Sequence, residues 1–458
     1  MQSEQIRDLQ RKQLEFFKSG RTRDLDFRID QLGKLREGLE RNEARIYEAL
    51  KSDLRKPPFE AYGGEVGILL EEIRHTMANL RSWARPRRVP TPLSLFPSQS
   101  RILMDPRGVV LIIGPWNYPF QLLLTPLVGA IAAGNCVVLK PSELAPQSSR
   151  LIAEMVTGIF PEVLVAAVEG NRETGAALLA EKWDYIFFTG GTGVGRIVAE
   201  AAARHLTPVT LELGGKSPCV VSADAQLDVT ARKITWAKFY NAGQTCVSPD
   251  YLLAHRSIKV PLLERILKNV REFFGPDPSQ SPDYARIVNV AHFDRLESLR
   301  AGGKLLLDGE HNREQLYMAP VILDEVRMED PVMADEIFGP ILPVMEYETL
   351  DEAIAIIDQR PAPLSFYVFT RSKATENELL SRVAFGGGCV NDAMIHLANP
   401  YLPFGGVGSS GSGAYHGKYS FETFSHRKSI VSSPFFPDIK IRYQPYRDKL
   451  RLLKKLMK

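Results

Sequence analysis

Apolar residues recur every three or four positions through the first part of the chain. Leu32, Leu35 and Leu39, then Ile46, Leu50 and Leu54, stand at helical spacing among charged neighbours. That spacing predicts amphipathic helices from residue 3 to about 84. Asn42 is expected to cap one of them. Pro57-Pro58 and Gly63-Gly64 break the pattern, it resumes over 65–84, and Pro86 ends it. Prolines and serines over 89–106 surround one alternating piece, 101–104. This stretch reads as an extended arm, either a hairpin or a plain surface loop.

The pattern changes at 107. Short apolar runs at 109–113, 136–139, 165–168 and 185–188, and a last strand at 208–213, alternate with helical patterns at 120–133, 148–160, 174–181 and 191–206. Runs without a polar face predict strands buried on both sides. Strand–helix–strand units of this length predict a mostly parallel, right-handed, doubly wound sheet, an α/β fold. Ligands on such sheets lie beyond the carboxyl ends of the strands, and Asn117, Lys140, Gly190 and Glu212 fall there. A second lobe, 214–400, also alternates. Its strands are expected near 219–221, 252–254, 305–307, 321–323, 341–345, 366–369 and 389–390, its helices over 260–274, 350–357 and 376–383. The glycine-rich 403–413 leads to 420–431, read as one further edge strand.

From 440 to the end, eight Lys or Arg stand against one Asp, and Tyr446, Leu450, Leu453 and Met457 share a helical face. Such a helix either packs on its own protein, the favoured reading, or lies on an anionic membrane surface.

A chain of 458 residues is too long for one ordinary core, so two large lobes and a small appendage are expected. A net charge of +3 over this length gives no reason to expect nucleic acid as a partner. Cys136, Cys219, Cys246 and Cys389 lie far apart, without paired or metal-like spacing. They read as reduced thiols, with no metal site. The polar, acidic start is unlike a signal peptide, and no run approaches the ~20 apolar residues of a membrane span. A cytoplasmic protein is expected.

Three side chains at element ends draw attention. Cys246 lies in the polar stretch Asn-Ala-Gly-Gln-Thr-Cys-Val, 241–247, after an apolar helical run. A helix starting nearby would lower its pKa. The other three cysteines lie in or beside predicted strands, where Cys behaves as a small hydrophobe. Glu212 sits between Leu211 and Leu213, just before Gly214-Gly215. It is either a general base with a raised pKa or an exposed acid on a turn. The third is the carboxamide of Asn117. Residues 188–195, Phe-Thr-Gly-Gly-Thr-Gly-Val-Gly, follow a strand and open a helix. Their N–H groups either receive a pyrophosphate or simply make a tight turn, since the spacing is not G-x-G-x-x-G. Lys140 and Glu143 either hold ribose hydroxyls or form a surface ion pair.

Taken in order, these motifs amount to a resemblance. Pro-Trp-Asn-Tyr-Pro at 115–119, Lys-Pro-Ser-Glu at 140–143, Phe-Thr-Gly at 188–190, Leu-Glu-Leu-Gly-Gly-Lys at 211–216, Gly-Gln-Thr-Cys at 243–246, Glu-Ile-Phe-Gly-Pro at 336–340 and Pro-Phe-Gly-Gly-Val-Gly at 403–408 are similar to those of the aldehyde dehydrogenase superfamily. The stretch 415–426 resembles its class 3 branch. The similarity covers nearly the whole chain.

It implies NAD(P)-dependent oxidation of a medium- or long-chain aliphatic, or an aromatic, aldehyde to the acid. Cys246 would be the nucleophile, Asn117 with the Cys246 N–H would hold the oxyanion, and Glu212 would activate the hydrolytic water. For the cofactor, the resemblance implies Lys140 and Glu143 at the adenosine ribose, Gly190, Gly191 and Gly195 at the pyrophosphate, Glu336 at the nicotinamide ribose, and Phe338 and Trp116 near the ring. Gly191 replaces a Ser of many relatives, which removes a hydroxyl contact to phosphate. Glu143 favours NAD, with NADP also accepted by class 3 relatives.

The resemblance further implies a dinucleotide-binding domain (1–88 and 105–213), a catalytic domain (214–400), a bridging and oligomerisation element (89–104 and 415–431) and a basic tail (432–458). A homodimer is expected, without permanent membrane insertion. A weak surface contact through the basic end stays open. Rival readings are an acylating dehydrogenase that passes the acyl group to coenzyme A, and a structural protein that keeps the fold.

Overall fold

The computed structural model describes residues 3–456. Val110, Leu111 and Ile112 are fully buried, and their strand, Val109–Ile113, lies inside a six-stranded sheet. The order across it is Gly411–Ser412, Val209–Glu212, Tyr185–Thr189, Val109–Ile113, Cys136–Lys140, Val165–Ala167. All pairs are parallel except the short edge strand from the glycine-rich stretch, which runs antiparallel to Val209–Glu212. The carboxyl ends of five strands therefore share one border, with Lys140 and Glu212 as terminal residues of theirs.

A seven-stranded sheet runs Lys304–Leu307, Val321–Asp324, Ile341–Tyr347, Tyr251–His255, Pro218–Val221, Ser365–Phe369, Gly387–Val390. Only its first pair is antiparallel. The α/β class expected from the alternating pattern is borne out.

Helix Gln121–Ala133 is buried on every side. It is apolar all round, as such a position requires. It lies against Val109–Ile113 and Cys136–Lys140 on one side and the N-terminal helices Leu25–Leu54 and Gly67–Trp83 on the other. Asp24 caps the 30-residue helix Leu25–Leu54 by accepting from Phe27 N. Asn42 does not cap a helix. It lies inside this one, its amide donating to Gly38 O at 2.8 Å, because the apolar stripe continues unbroken past it. Gly63-Gly64 does not break the chain either. Pro58–Ala61 passes through a widened turn, Tyr62–Val66, directly into Gly67–Trp83.

The arm is a hairpin. Arg87–Val89 pairs with Gln99–Pro106, whose other side pairs with all of Ser425–Ser432. The edge strand expected over 420–431 starts later, because Gly417–Thr423 is helical. That helix packs on Gln121–Ala133 so closely that a Cβ on Gly129 would stand 2.5 Å from Ser420 Cβ. The favoured packed reading of the basic end is overturned. Helix Lys449–Leu456 exposes Leu450, Leu452 and Leu453. Pro434, Pro437 and Pro445 keep the segment before it from forming a helix that folds back. Met457, the fourth residue of the expected face, lies outside the described residues. Among the described residues no helix is long and apolar enough to cross a membrane, and no cluster of metal-ligating side chains occurs.

Candidate active site

Asn117 lies on the loop that joins Val109–Ile113 to Gln121–Ala133. The loop is gripped from the N-terminal helical layer. Lys56 and Glu65 form an ion pair of 2.7 Å with both side chains fully buried. Lys56 Nζ also donates to the Asn117 main-chain carbonyl at 2.9 Å and lies 4.0 Å above the Tyr118 ring. Glu65 Oε2 accepts from Phe120 N and Gln121 N at 3.1 and 2.9 Å. An acid there satisfies N–H groups that a helix start leaves open. The Asn117 carboxamide is thereby aimed at the cysteine loop, Nδ2 donating to Gln244 O at 3.1 Å. Lys56 and Glu65 give no sequence signal, since each looks like one more charge in a helical region.

The cysteine loop is bent and firmly held. Asn241 and Ala242 have φ of 51° and 50°, a left-handed conformation that costs free energy for such residues. Asn241 N donates to Glu60 Oε2 at 2.9 Å, and Asn241 Nδ2 donates to Asn117 O at 3.2 Å. Gln244 Nε2 donates to Arg286 O at 2.9 Å, and its Oε1 accepts from Val288 N at 3.0 Å. A Cβ on Gly243 would stand 2.2 Å from Gly339 O, so only glycine lets this loop touch the segment after Glu336. Tyr118 and Tyr367 hydroxyls bond Thr245 Oγ1 (2.7 Å) and Val247 O (2.5 Å) on either side of Cys246.

No helix begins at Cys246, and the expected lowering of its pKa is not found. Burial first, then the Glu336 and Glu212 carboxyls, push the thiol up to about 12. It rests as a neutral thiol and needs a base. Cys136 and Cys219 are buried in strands, and Cys389 is half-buried in Gly387–Val390.

Glu212 is not an exposed acid on a turn. Its side chain is buried at 2% exposure, both carboxyl oxygens lack a partner, and burial raises it well above the usual carboxylate range. Its charge is felt at Cys246 and Tyr415. A carboxyl in this state can exchange a proton with a molecule entering beside it.

Two residues on, a Cβ at Gly214 would stand 1.9 Å from Glu336 Oε2; glycine makes room for that carboxyl. Glu336 is pushed up to about 8, by burial first and then by Asp250. Lys216 Nζ pins its segment through Asp250 Oδ2 (2.6 Å), Val332 O (2.7 Å) and Asp335 O (3.0 Å), and Asp250 Oδ1 accepts from Ile337 N at 3.0 Å. Phe338 meets Trp116 edge-on at 5.3 Å.

A cleft of about 400 Å³ lies between Thr192, Gly193 and Arg196, residues 214–216 and Glu336. Gly191 precedes the helix Thr192–Ala203, with open space where its side chain would be. A helix start beside an arginine, facing a carboxyl, is a donor and acceptor set that fits a dinucleotide. Two of the glycines do something else. Gly190 N is taken by Glu212 O at 3.0 Å, and Gly195 N by Gly191 O at 3.0 Å. A Cβ on Gly195 would meet Leu213 at 2.6 Å, so this glycine serves helix–strand packing and offers no amide to phosphate. Lys140 Nζ is buried and bonds Pro141 O (2.7 Å) and Glu143 Oε2 (3.0 Å) at the carboxyl border of the same sheet.

Cys246 also belongs to the wall of an apolar cavity of about 150 Å³. Ile68, Leu122, Trp236, Met394, Leu397 and Phe404 are among the side chains of that wall. None of these six was legible as a site residue, because apolar side chains at element ends look like ordinary core.

The aldehyde dehydrogenase family model matches residues 1–430. The chain is 46% identical to the 4,4'-diaponeurosporen-aldehyde dehydrogenase of Staphylococcus aureus, over 97% of each chain. It is 45% identical to the dimeric NADP-preferring aldehyde dehydrogenase of Rattus norvegicus, over 96% of this chain and 98% of that one. The substrate-bound structure of the Staphylococcus aureus protein AldH superposes with a TM-score of 0.96 at 44% identity, covering 99% of both chains.

Proposed function

The chain belongs to the aldehyde dehydrogenase family and oxidises aldehydes to carboxylic acids with NAD or NADP; on that premise we propose that Cys246, Asn117 and Glu212 carry the reaction. Cys246 gives its proton to a neighbouring carboxylate and its sulfur bonds the carbonyl carbon, sending the π pair to oxygen. The second Asn117 Nδ2 hydrogen and the Cys246 N–H receive that oxyanion. NAD(P), when bound, supplies the hydride acceptor that makes the step an oxidation. A thioester on Cys246 remains. Glu212 takes a proton from the water that attacks it, the C–S bond breaks, and the acid leaves. Lys140, Glu143, Gly191, Glu336, Phe338 and Trp116 hold the cofactor, and Lys140–Glu143 directs preference toward NAD.

The observation that carries this reading is the Asn117–Gln244 contact, which brings the carboxamide to the loop of Cys246 while both Glu212 oxygens stay free. A free carboxyl beside the thiol supports water, over coenzyme A, as the acyl acceptor. Glu212→Gln should keep a stoichiometric burst of NADH and lose steady turnover by about 10²- to 10⁴-fold. Unchanged turnover overturns the assignment.

The preferred substrates are medium- or long-chain aliphatic or aromatic aldehydes. The apolar wall beside Cys246 supports this, as does the relative named for a polyene aldehyde. The protein is a homodimer. Ser425–Ser432 forms the edge of the three-stranded sheet, an edge that invites pairing, and the rat relative is named as dimeric. The unpaired cysteines fit the cytoplasm.

A further inference from the structure

We propose that the segment from Pro434 to Leu456 docks the enzyme on an anionic lipid bilayer. Among the described residues, Ser433 is the last one hydrogen-bonded to the body, its hydroxyl meeting that of Ser98 at 2.7 Å. Past it, large apolar side chains stand in the open. Phe435 is fully exposed and Phe436 is 87% exposed; Ile439, Tyr443, Tyr446, Leu450, Leu452 and Leu453 are exposed too. A run of this kind on a water-soluble body marks a contact surface.

The segment is also organised. Lys449 Nζ donates to Tyr443 O at 2.8 Å and Lys440 O at 3.3 Å, and the Tyr443 hydroxyl donates to Asp438 Oδ1 at 3.0 Å. These bonds run within the segment, so it forms a small knob and not a trailing strand.

Its charge selects the partner. Lys440, Arg442, Arg447, Lys449, Arg451, Lys454 and Lys455 are interleaved with the apolar groups, and Asp448 is the one acid after 440. On helix Lys449–Leu456, Leu450 and Leu453 share a face, and Arg451, Lys454 and Lys455 lie on the other side. Cations meeting phosphate headgroups while aromatic and leucine side chains enter the acyl boundary is the pattern of a helix lying in the interface. A second copy of the chain would need an acidic, apolar counter-surface; a bilayer of anionic lipid offers both properties together.

The test compares the full chain with a chain ending at Pro434, and with Phe435→Ser/Phe436→Ser, in co-sedimentation with phosphatidylcholine vesicles with and without phosphatidylglycerol. The full chain should bind phosphatidylglycerol vesicles at least about tenfold more tightly than the truncation, lose binding in high salt and ignore neutral vesicles. The phenylalanine variant should bind weakly. All three should oxidise a small water-soluble aldehyde equally, which shows an intact body and leaves the docking question separate from catalysis. Equal sedimentation of full and truncated chains overturns the proposal. So does loss of self-association on truncation without vesicle binding, which assigns the segment to a second copy.

Discussion

Glu60 is nearly buried, and burial pushes its carboxyl up to about 8, against the hydrogen bond from Asn241 N that favours the anion. An unfolded Glu titrates near 4.5. Between those values the native chain keeps a proton that the unfolded chain has released, so stability falls as pH rises from about 4.5 to about 8. Glu72, raised to about 7, and Glu336, raised to about 8, act with the same sign. Each fully contributing group changes stability by up to about 1.4 kcal/mol per pH unit. Glu60→Gln keeps an acceptor for Asn241 N and removes one titration. Its melting temperature, measured between pH 5 and 8, should fall less steeply than that of the parent. Asn117→Ala tests the oxyanion role: kcat should drop about 10²- to 10³-fold with little change in aldehyde KM. Among single residues, Cys246, Glu212 and Asn117 were legible as candidates because each lies in a short motif. Their protonation was not, since it depends on burial by residues far along the chain.

At the scale of elements, the N-terminal helical layer sets the loop ahead of helix Gln121–Ala133. Lys56→Met strands a buried carboxylate and should cost about 3–5 kcal/mol in urea unfolding. It should also lower kcat by releasing the Asn117 carbonyl. Adding Glu65→Gln should give back part of the stability, because the two effects share one pair. The Gly214 turn and the Glu336 segment meet without a gap. Gly214→Ala should displace the carboxyl and raise cofactor KM about 10- to 100-fold, as the loss of one hydrogen bond to a charged group would, while aldehyde KM stays near its parent value. Steady-state kinetics with each substrate varied separates the two. Elements were legible wherever apolar spacing has one reading. They were misread at Asn42, where a cap residue continues a helix, and at 420–423, where the chain packs closely on Gly129 as a helix and the strand starts later.

For the whole molecule, the edge strand Ser425–Ser432 leaves one side of its backbone unpaired and Val431 55% exposed. Val431→Lys should weaken a dimer built on that edge and shift mass by light scattering toward the monomer at low concentration; unchanged mass removes this edge from the interface.

The alternating runs from 107 to 390 determined the α/β class by themselves, because a strand buried on both faces and an amphipathic helix are each written in a few neighbouring residues. The short motifs likewise determined the family. Tertiary structure alone decided that Asn117 reaches Gln244, that Lys56 and Glu65 hold the loop, that Cys246 rests as a neutral thiol, and that the basic end stands clear of the body. Each of those depends on sheet order and on surfaces meeting between residues far apart in the chain, which no local pattern records.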